Sequence, residues 1–204
     1  MNEHARDEEL NINTTGDPNA FTHSFHYHRY EPTPYIGLDE LFGVLTLSYD
    51  ERLVDFGCGK GRMNFYVHSY GKGKAIGVEY EEEFYRNSLV NLENYRKKYD
   101  VVHDEITFYH GLAETYPIQT QDTIFYFFNP FTVAIFRRVV KNILHSYASS
   151  PRDISLVLYY PSEDYLFFLE NETKFVLKRE VRIPGLFEHN RNERFLLYTI
   201  VKNL

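Results

Sequence analysis

The sequence predicts an α/β fold in which a seven-stranded, mostly parallel sheet carries helices on both faces and ends in an antiparallel hairpin. Three observations predict it. A strand, a glycine turn and a helix follow one another over residues 52–70, strand and helix patterns then alternate to about residue 170, and two strand-like segments close the chain around a Pro-Gly loop. Because ligands bind at the carboxyl ends of strands in such sheets, the residues after each strand are the functional candidates.

The first unit is the segment LVDFGCGKGR at residues 53–62. Its buried strand ends at Phe56, and a helix is expected to begin near Lys60, where apolar residues start to recur at helical spacing. The glycines between them lack a Cβ and let the turn approach a ligand closely; they are Gly57, Gly59 and Gly61. A second strand over residues 74–78 leads to Glu79, about 20 residues further on, where an acid commonly accepts hydrogen bonds from a ribose.

Asp55, just before the glycine loop, distinguishes two classes of cofactor. A dinucleotide would place its pyrophosphate on this loop, where a carboxylate repels it. S-adenosylmethionine has no phosphate, and its ammonium and sulfonium groups are attracted by Asp55 and by the carbonyl of Gly57. The loop therefore favours S-adenosylmethionine, which leaves S-adenosylhomocysteine as product, over a dinucleotide-dependent oxidoreductase. A glycine turn that serves packing alone is the remaining alternative.

The later elements follow from hydrophobic periodicity and from their boundary residues. We expect helices over 81–99, 132–148 and 162–170, strands over 106–110, 123–128 and 154–160, and a final hairpin over 175–183 and 194–201. The run at 123–128 is continuously apolar, which is typical of a strand buried on both faces. Upstream, Thr33 and Pro34 are expected to be the N-cap and the first residue of another helix.

The acid followed by GxGxG, together with Glu79, resembles the class I S-adenosylmethionine-dependent methyltransferases, which have a Rossmann-like fold. After the fourth strand, Asn129, Pro130 and Phe131 resemble a shortened (N/D)PP(Y/F) motif of the members that methylate amines. The resemblance implies that the Asn129 side chain and the Pro130 carbonyl accept the amine protons while Phe131 stacks on the amine, with Asn129 also near the cofactor. An ordinary strand-to-helix turn is the alternative, since the second proline is missing.

With its YEPTPY motif at residues 30–35, the chain is similar to small bacterial class I methyltransferases from Tyr30 onward. The resemblance implies that Thr33 and the helix N-terminus bind the cofactor's carboxylate. It also implies that Leu112 and Ala113, after the third strand, contact adenine. Cys58, within the cofactor-binding loop, is expected to be a small packed residue rather than a nucleophile. Three tyrosines near these motifs are expected to line the acceptor site: Tyr30, Tyr35 and Tyr160. For Tyr160, packing in the core is the alternative.

Composition bounds the organisation of the chain. Its 204 residues are 43% hydrophobic, which suits a single domain over residues 21–204 after a flexible acidic tail over residues 1–20. The lone Cys58 suits a reducing cytoplasm, and no apolar run reaches the ~18 residues that span a bilayer. Three histidines are expected to be polar loop residues rather than metal ligands, because no cysteine or carboxylate is suitably spaced: His23, His26 and His28.

These features predict a methyltransferase that moves a methyl group from S-adenosylmethionine to an unknown acceptor, most simply an amine nitrogen. The net charge of -7 favours a protein or a small molecule over nucleic acid as that acceptor. The alternative is a non-catalytic S-adenosylmethionine-binding or protein-interaction module on the same fold.

Overall fold

The structure is a computed structural model that describes residues 2–15, 30–102 and 104–201. Its strands are β1 (Arg52–Phe56), β2 (Lys74–Glu79), β3 (Ile106–His110), β4 (Asp122–Phe128), β5 (Ile154–Tyr159), β6 (Val176–Arg182) and β7 (Arg194–Ile200). The α-helices are α1 (Glu3–Leu10), α2 (Tyr35–Phe42), α3 (Arg62–Tyr66), α4 (Glu82–Arg96), α5 (Val133–Ser149) and α6 (Glu163–Glu172).

All seven strands form one sheet in the order β3-β2-β1-β4-β5-β7-β6. Neighbouring strands from β3 to β5 are parallel, whereas β7 runs antiparallel to both β5 and β6. The mostly parallel sheet with an antiparallel C-terminal hairpin is thereby confirmed. Because the chain runs outward from β1 to β3 and then returns to β4 on the other side of β1, the strand order reverses between β1 and β4, which is where ligands bind in such sheets.

Both faces of the sheet are covered. Successive residues of a strand point to opposite faces, and in β4 Phe125 and Phe127 belong to one hydrophobic cluster while Ile124 and Tyr126 belong to the other. The first cluster includes residues of α5 and α6, and the second includes residues of α1, α2 and α3. This explains why β4 is apolar throughout its central residues rather than alternating.

Helix starts differ from the sequence expectation at two places. The helix expected near Lys60 begins at Arg62, because its N-cap Gly61 has a left-handed φ of 89°; beyond Tyr66 it continues as a π-helical turn over Val67–Gly71. Thr33 is not the N-cap of α2. Pro34 takes that place, and the Thr33 hydroxyl lies 2.6 Å from the Tyr126 hydroxyl instead.

The expectation of a flexible acidic tail is wrong for residues 2–15. Helix α1 lies there with Leu10 fully buried, and the buried Asp7 carboxylate accepts hydrogen bonds from the backbone N–H of Thr14 and from the hydroxyl of Tyr35. Arg6 forms an ion pair with Asp39. The acids that suggest a solvated tail are thus partly used as internal hydrogen-bond acceptors. The three histidines considered as metal ligands lie outside the described residues.

None of the helices in the described ranges is long and apolar enough to cross a membrane.

Candidate functional site

A cleft of about 810 Å³, counting the space open to solvent, lies at the carboxyl ends of β1, β2 and β4. Four stretches of chain line it: residues 30–33 before α2, residues 55–63 around the glycine loop, residues 79–84 at the end of β2, and residues 126–130 at the end of β4. It therefore occupies the place at which the strand order reverses.

The carboxylate of Asp55 is a buried charge in the wall of this cleft. Asp55 is 4% exposed, and no described residue forms a hydrogen bond with its carboxylate. Burial, followed by the charge of Glu79, raises its pKa well above the ordinary value. A buried carboxylate without a partner is costly. Its environment therefore favours a cation in the cleft next to it.

Glu79, the last residue of β2, is held in a fixed orientation. One carboxylate oxygen accepts the backbone N–H of Gly59 and the other accepts that of Glu81, both at 2.8 Å. Burial raises the pKa of Glu79, although these backbone N–H groups oppose the shift by stabilising the charged form. Because two carboxylate oxygens offer about four acceptor positions, Glu79 can still receive hydrogen bonds from a ligand's hydroxyl groups.

The glycine loop is packed too tightly for side chains. A Cβ on Gly57, whose φ is 79°, would lie 2.7 Å from Cβ of Pro130, and a Cβ on Gly59 would lie 2.0 Å from a ring carbon of Tyr30. The Tyr30 hydroxyl donates to the carbonyl of Thr14, and its ring packs against Phe84 with centroids 4.7 Å apart. Tyr30, expected near the acceptor, thus lines the cleft on the side of the loop.

Arg62 brings a positive charge to the same cleft, at the start of α3. It is 3% exposed; its Nε donates to the Thr14 hydroxyl at 2.7 Å and one terminal nitrogen donates to the Thr33 carbonyl at 3.1 Å. It also forms ion pairs with Glu3 and Asp7 of α1. Thr33, which is 5% exposed, lines the cleft beside it. The pair could bind an anionic group.

The segment after β4 is divided between the cleft and the core. Asn129 has a left-handed φ of 39° and lies between Phe128 and Pro130, which both line the cleft. Phe131 does not line it. Its ring is 1% exposed and packs edge-on against Phe127, with centroids 6.2 Å apart. A stacking role for Phe131 is therefore corrected to a core role, because the core cluster beneath the sheet takes up its apolar ring.

No family model matches the chain. Over 65 residues it is 34% identical to a protein-lysine N-methyltransferase of Saccharolobus islandicus (strain REY15A). The match covers 31% of this chain and 40% of that protein, so the chain spans well under two thirds of the length of this relative. Among solved structures, an RNA methyltransferase from Salinibacter ruber in complex with S-adenosyl-L-homocysteine matches 85% of this chain and 96% of its own, with a TM-score of 0.62 and 16% identity.

The fold is that of the class I methyltransferases. A second solved structure with this fold, Haemonchus contortus phosphoethanolamine N-methyltransferase 1 in complex with phosphoethanolamine and S-adenosylhomocysteine, matches 83% of this chain and 43% of its own at 12% identity, with a TM-score of 0.58. At these identities the likeness to solved structures concerns the fold alone.

Two tyrosines expected at the acceptor site lie differently in this class I methyltransferase fold. Tyr35 is 2% exposed and its hydroxyl donates to Asp7, so it is a core residue rather than a substrate contact. Tyr160 follows β5 with a left-handed φ of 51°. Its ring centroid lies 6.3 Å from that of Phe128, and its hydroxyl accepts a hydrogen bond from the amide of Asn190. Tyr160 thus lies beside Phe128 of the cleft wall, whereas the ring of Tyr35 packs under the Arg62 guanidinium, 4.3 Å from the ring centroid.

One of the two residues expected at adenine, Leu112, borders a second, shallower pocket. Leu112 is 37% exposed and lines this pocket, which shares Tyr80 and Glu81 with the main cleft. Ala113 is buried at the start of a short 3-10 turn. In the glycine loop, Cys58 is 6% exposed and burial raises the pKa of its thiol, which keeps the thiol protonated.

Sequence reasoning missed several residues of the cleft wall, of which Arg62 is the most informative. The segment LVDFGCGKGR ends on it, but a single arginine at a helix start is a common surface residue. Its burial depends on Thr14 and Glu3, which are distant in sequence. The other cleft residues that were not singled out are Glu31, Pro32, Met63, Tyr80, Glu81, Phe84, Tyr126 and Phe128.

Proposed function

We propose that this protein transfers a methyl group from S-adenosylmethionine to an acceptor nitrogen. The observation that carries the proposal is the Asp55 carboxylate, which is 4% exposed in the cleft wall beside the glycine loop and has no hydrogen-bond partner among the described residues. A cationic cofactor would supply a countercharge, whereas a pyrophosphate would be repelled.

The residues present fit this cofactor group by group. Asp55 suits the ammonium and sulfonium charges, Glu79 suits the ribose hydroxyls, and Arg62 with Thr33 suits the carboxylate. Tyr80 and Leu112 border the pocket beside the main cleft and suit the adenine ring. Gly57 and Gly59 keep the loop free of Cβ atoms where it meets Pro130 and Tyr30.

When bound, S-adenosylmethionine supplies a methyl group on a sulfonium: the acceptor nitrogen's lone pair forms the N–C bond, the C–S electron pair returns to sulfur, and nitrogen releases a proton to solvent. The chain's own contribution is alignment. The side-chain carbonyl of Asn129 and the main-chain carbonyl of Pro130 would accept the nitrogen's hydrogens and stabilise its developing positive charge.

Nitrogen as the acceptor is supported by the position of Asn129 directly after β4, between two residues of the cleft wall. The Saccharolobus relative and the Haemonchus structure are both N-methyltransferases by name. One observation favours a second candidate, a non-catalytic S-adenosylmethionine-binding or interaction module: Phe131, the aromatic of the amine motif, lies in the core.

Two measurements test the proposal. Calorimetric titration with S-adenosylhomocysteine and NAD should show binding of the first alone, and tight NAD binding without the other would overturn the cofactor assignment. Incubation of a fractionated cell extract with the protein and methyl-labelled cofactor should then label an acceptor. Binding with no label in any fraction would favour the non-catalytic module.

A further inference from the structure

We infer that the acceptor is the side-chain amine of a lysine in a basic peptide segment. This inference rests on the proposed function and narrows it to one class of substrate. Its first basis is the charge of the cleft wall. Four carboxylates line the cleft: Glu31, Asp55, Glu79 and Glu81. Arg62 is the one basic side chain among the described residues that line it.

The positive charge of Arg62 does little to offset these acids, because Arg62 already has acidic partners outside the cleft. It forms ion pairs with Glu3 and Asp7 of α1. Away from Arg62, which is assigned to the cofactor's carboxylate, the described wall of the cleft therefore favours cations over anions. RNA carries a negative charge at every nucleotide, and phosphoethanolamine carries a phosphate, so neither complements this wall.

Glu31 is the carboxylate that can act on an acceptor. Asp55 and Glu79 are assigned to the cofactor, and Glu81 also borders the second pocket, which is assigned to adenine. Glu31 is exposed and lies between Tyr30 and Pro32 in the cleft wall. Phe128 lines the same cleft as Glu31, on the side where β4 and β5 end next to each other.

Aromatic side chains cover that side. Phe128 lines the cleft, and its ring centroid lies 4.4 Å from that of Tyr159 and 6.3 Å from that of Tyr160. A cleft wall that carries both an aromatic ring and an exposed carboxylate, as Phe128 and Glu31 provide here, suits a lysine, since the aliphatic stem can pack on the ring while the ammonium faces the charge. Phe128 also immediately precedes Asn129, the residue proposed to align the acceptor nitrogen.

The charge balance of the transfer is consistent with this site. A lysine enters as an ammonium, loses one proton to solvent so that its lone pair is free, and accepts the methyl group to become a methylammonium. Substrate and product are both cations, so Glu31 attracts the chain that carries the nitrogen before and after transfer.

The first experiment offers four acceptors to the full-length protein with methyl-labelled S-adenosylmethionine: a lysine-rich peptide, the same peptide with arginine in place of lysine, an RNA, and phosphoethanolamine. We expect label in the lysine peptide alone. Absence of label in that peptide would overturn the inference. Label in RNA or phosphoethanolamine instead would leave the proposed methyl transfer standing, whereas failure of S-adenosylhomocysteine to bind in calorimetry would overturn the proposed function itself.

The second experiment tests Glu31 with matched charge changes. Glu31→Gln should raise KM for the lysine peptide about two- to fivefold at low salt, the range for one exposed ion pair, and Glu31→Lys should raise it further. Glu93→Gln and Glu93→Lys make the same changes at an exposed position of α4 and should leave KM unaltered. Added salt should raise the wild-type KM more than that of Glu31→Gln. Equal KM values in wild type and Glu31→Lys, with unfolding midpoints also equal, would refute the role of Glu31.

Discussion

The carboxylate of Glu79 accepts the backbone N–H of Gly59 at 2.8 Å, so the end of β2 fixes the turn that follows β1. Its other oxygen accepts the N–H of Glu81 at the start of α4. One side chain therefore holds the glycine loop and the next helix in place and also lines the cleft. Replacing Glu79 should therefore change two quantities that can be measured separately, the affinity for a ligand and the stability of the fold.

We expect Glu79→Ala to weaken S-adenosylhomocysteine binding by ~1.5–3 kcal/mol, the range for a hydrogen bond to a charged group, and to lower the free energy of unfolding by ~1–3 kcal/mol, because two N–H groups lose a buried acceptor. Calorimetry and urea unfolding measure the two effects. Glu93→Ala, at an exposed position of α4, is the control. An unchanged affinity in the folded variant would contradict the ribose contact.

Asp55 predicts a pH-dependent stability. Burial and the charge of Glu79 raise the pKa of Asp55 in the folded state. The stabilisation that the protonated Asp55 gives the folded protein is therefore fully present below the ordinary carboxyl pKa near ~4. It is lost as the pH rises from there toward the raised pKa. Asp55→Asn should therefore make the cofactor-free protein more stable at pH 7 while weakening S-adenosylhomocysteine binding. Thermal unfolding at pH 4.5 and pH 7, with and without this ligand, provides the measurement; a variant less stable at pH 7 would contradict the prediction.

Asn129 separates an enzyme from a binding module. We expect Asn129→Gly to reduce turnover ~100-fold or more, as loss of one transition-state partner does, while S-adenosylhomocysteine affinity changes little. Glycine is the suitable replacement because the φ of 39° would strain alanine. Asn129→Asp keeps an acceptor oxygen and should retain more activity than Asn129→Gly. Wild-type turnover in the glycine variant would leave this segment a simple strand-to-helix turn.

The packing of helix α1 predicts that shortening one buried side chain near the N-terminus strongly lowers the free energy of unfolding. Leu10 is fully buried, so Leu10→Ala should lower the free energy of unfolding by ~2–5 kcal/mol. Glu8→Ala, two residues away at an exposed position, should change it by no more than ~0.5 kcal/mol. Urea unfolding followed by circular dichroism compares them. Equal, small effects would mean that α1 does not pack against the domain.

The sheet could be predicted because each of its strands is encoded locally. Runs such as residues 123–128 are apolar throughout, and the glycine loop fixes one strand-to-helix turn. By contrast, α1 is stabilised by partners far along the chain: Asp7 contacts Tyr35, and the side chain of Asn11 donates to the carbonyl of Asn94. Neither contact has a local signal, so the acidic composition led to the wrong expectation of a solvated tail.

From the sequence, the site could be placed at the ends of particular strands, but the directions of its side chains could not be predicted. Asp55 and Glu79, which the structure places in the cleft wall, could be singled out because an acid at a strand end has a chemical meaning that does not depend on orientation; their roles toward a cofactor stay predictions. Phe131 was placed wrongly because a position just after a strand does not say whether a ring turns to the cleft or to the core. Arg62 was missed because its burial is produced by residues far away in the sequence, Glu3 of α1 and Thr14.

The cleft draws its wall from residues 30–33, 55–63, 79–84 and 126–130, which only the complete sheet brings together. A fragment of the chain that lacks one of these stretches cannot form the cleft. Ligand binding in the cleft and folding of the whole domain are therefore thermodynamically linked. A ligand held at about 100 times its Kd should then stabilise the entire domain by about 2.7 kcal/mol. Proteolytic resistance at sites remote from the cleft would increase with ligand concentration, and the protein's lifetime would depend on how much of its ligand is available.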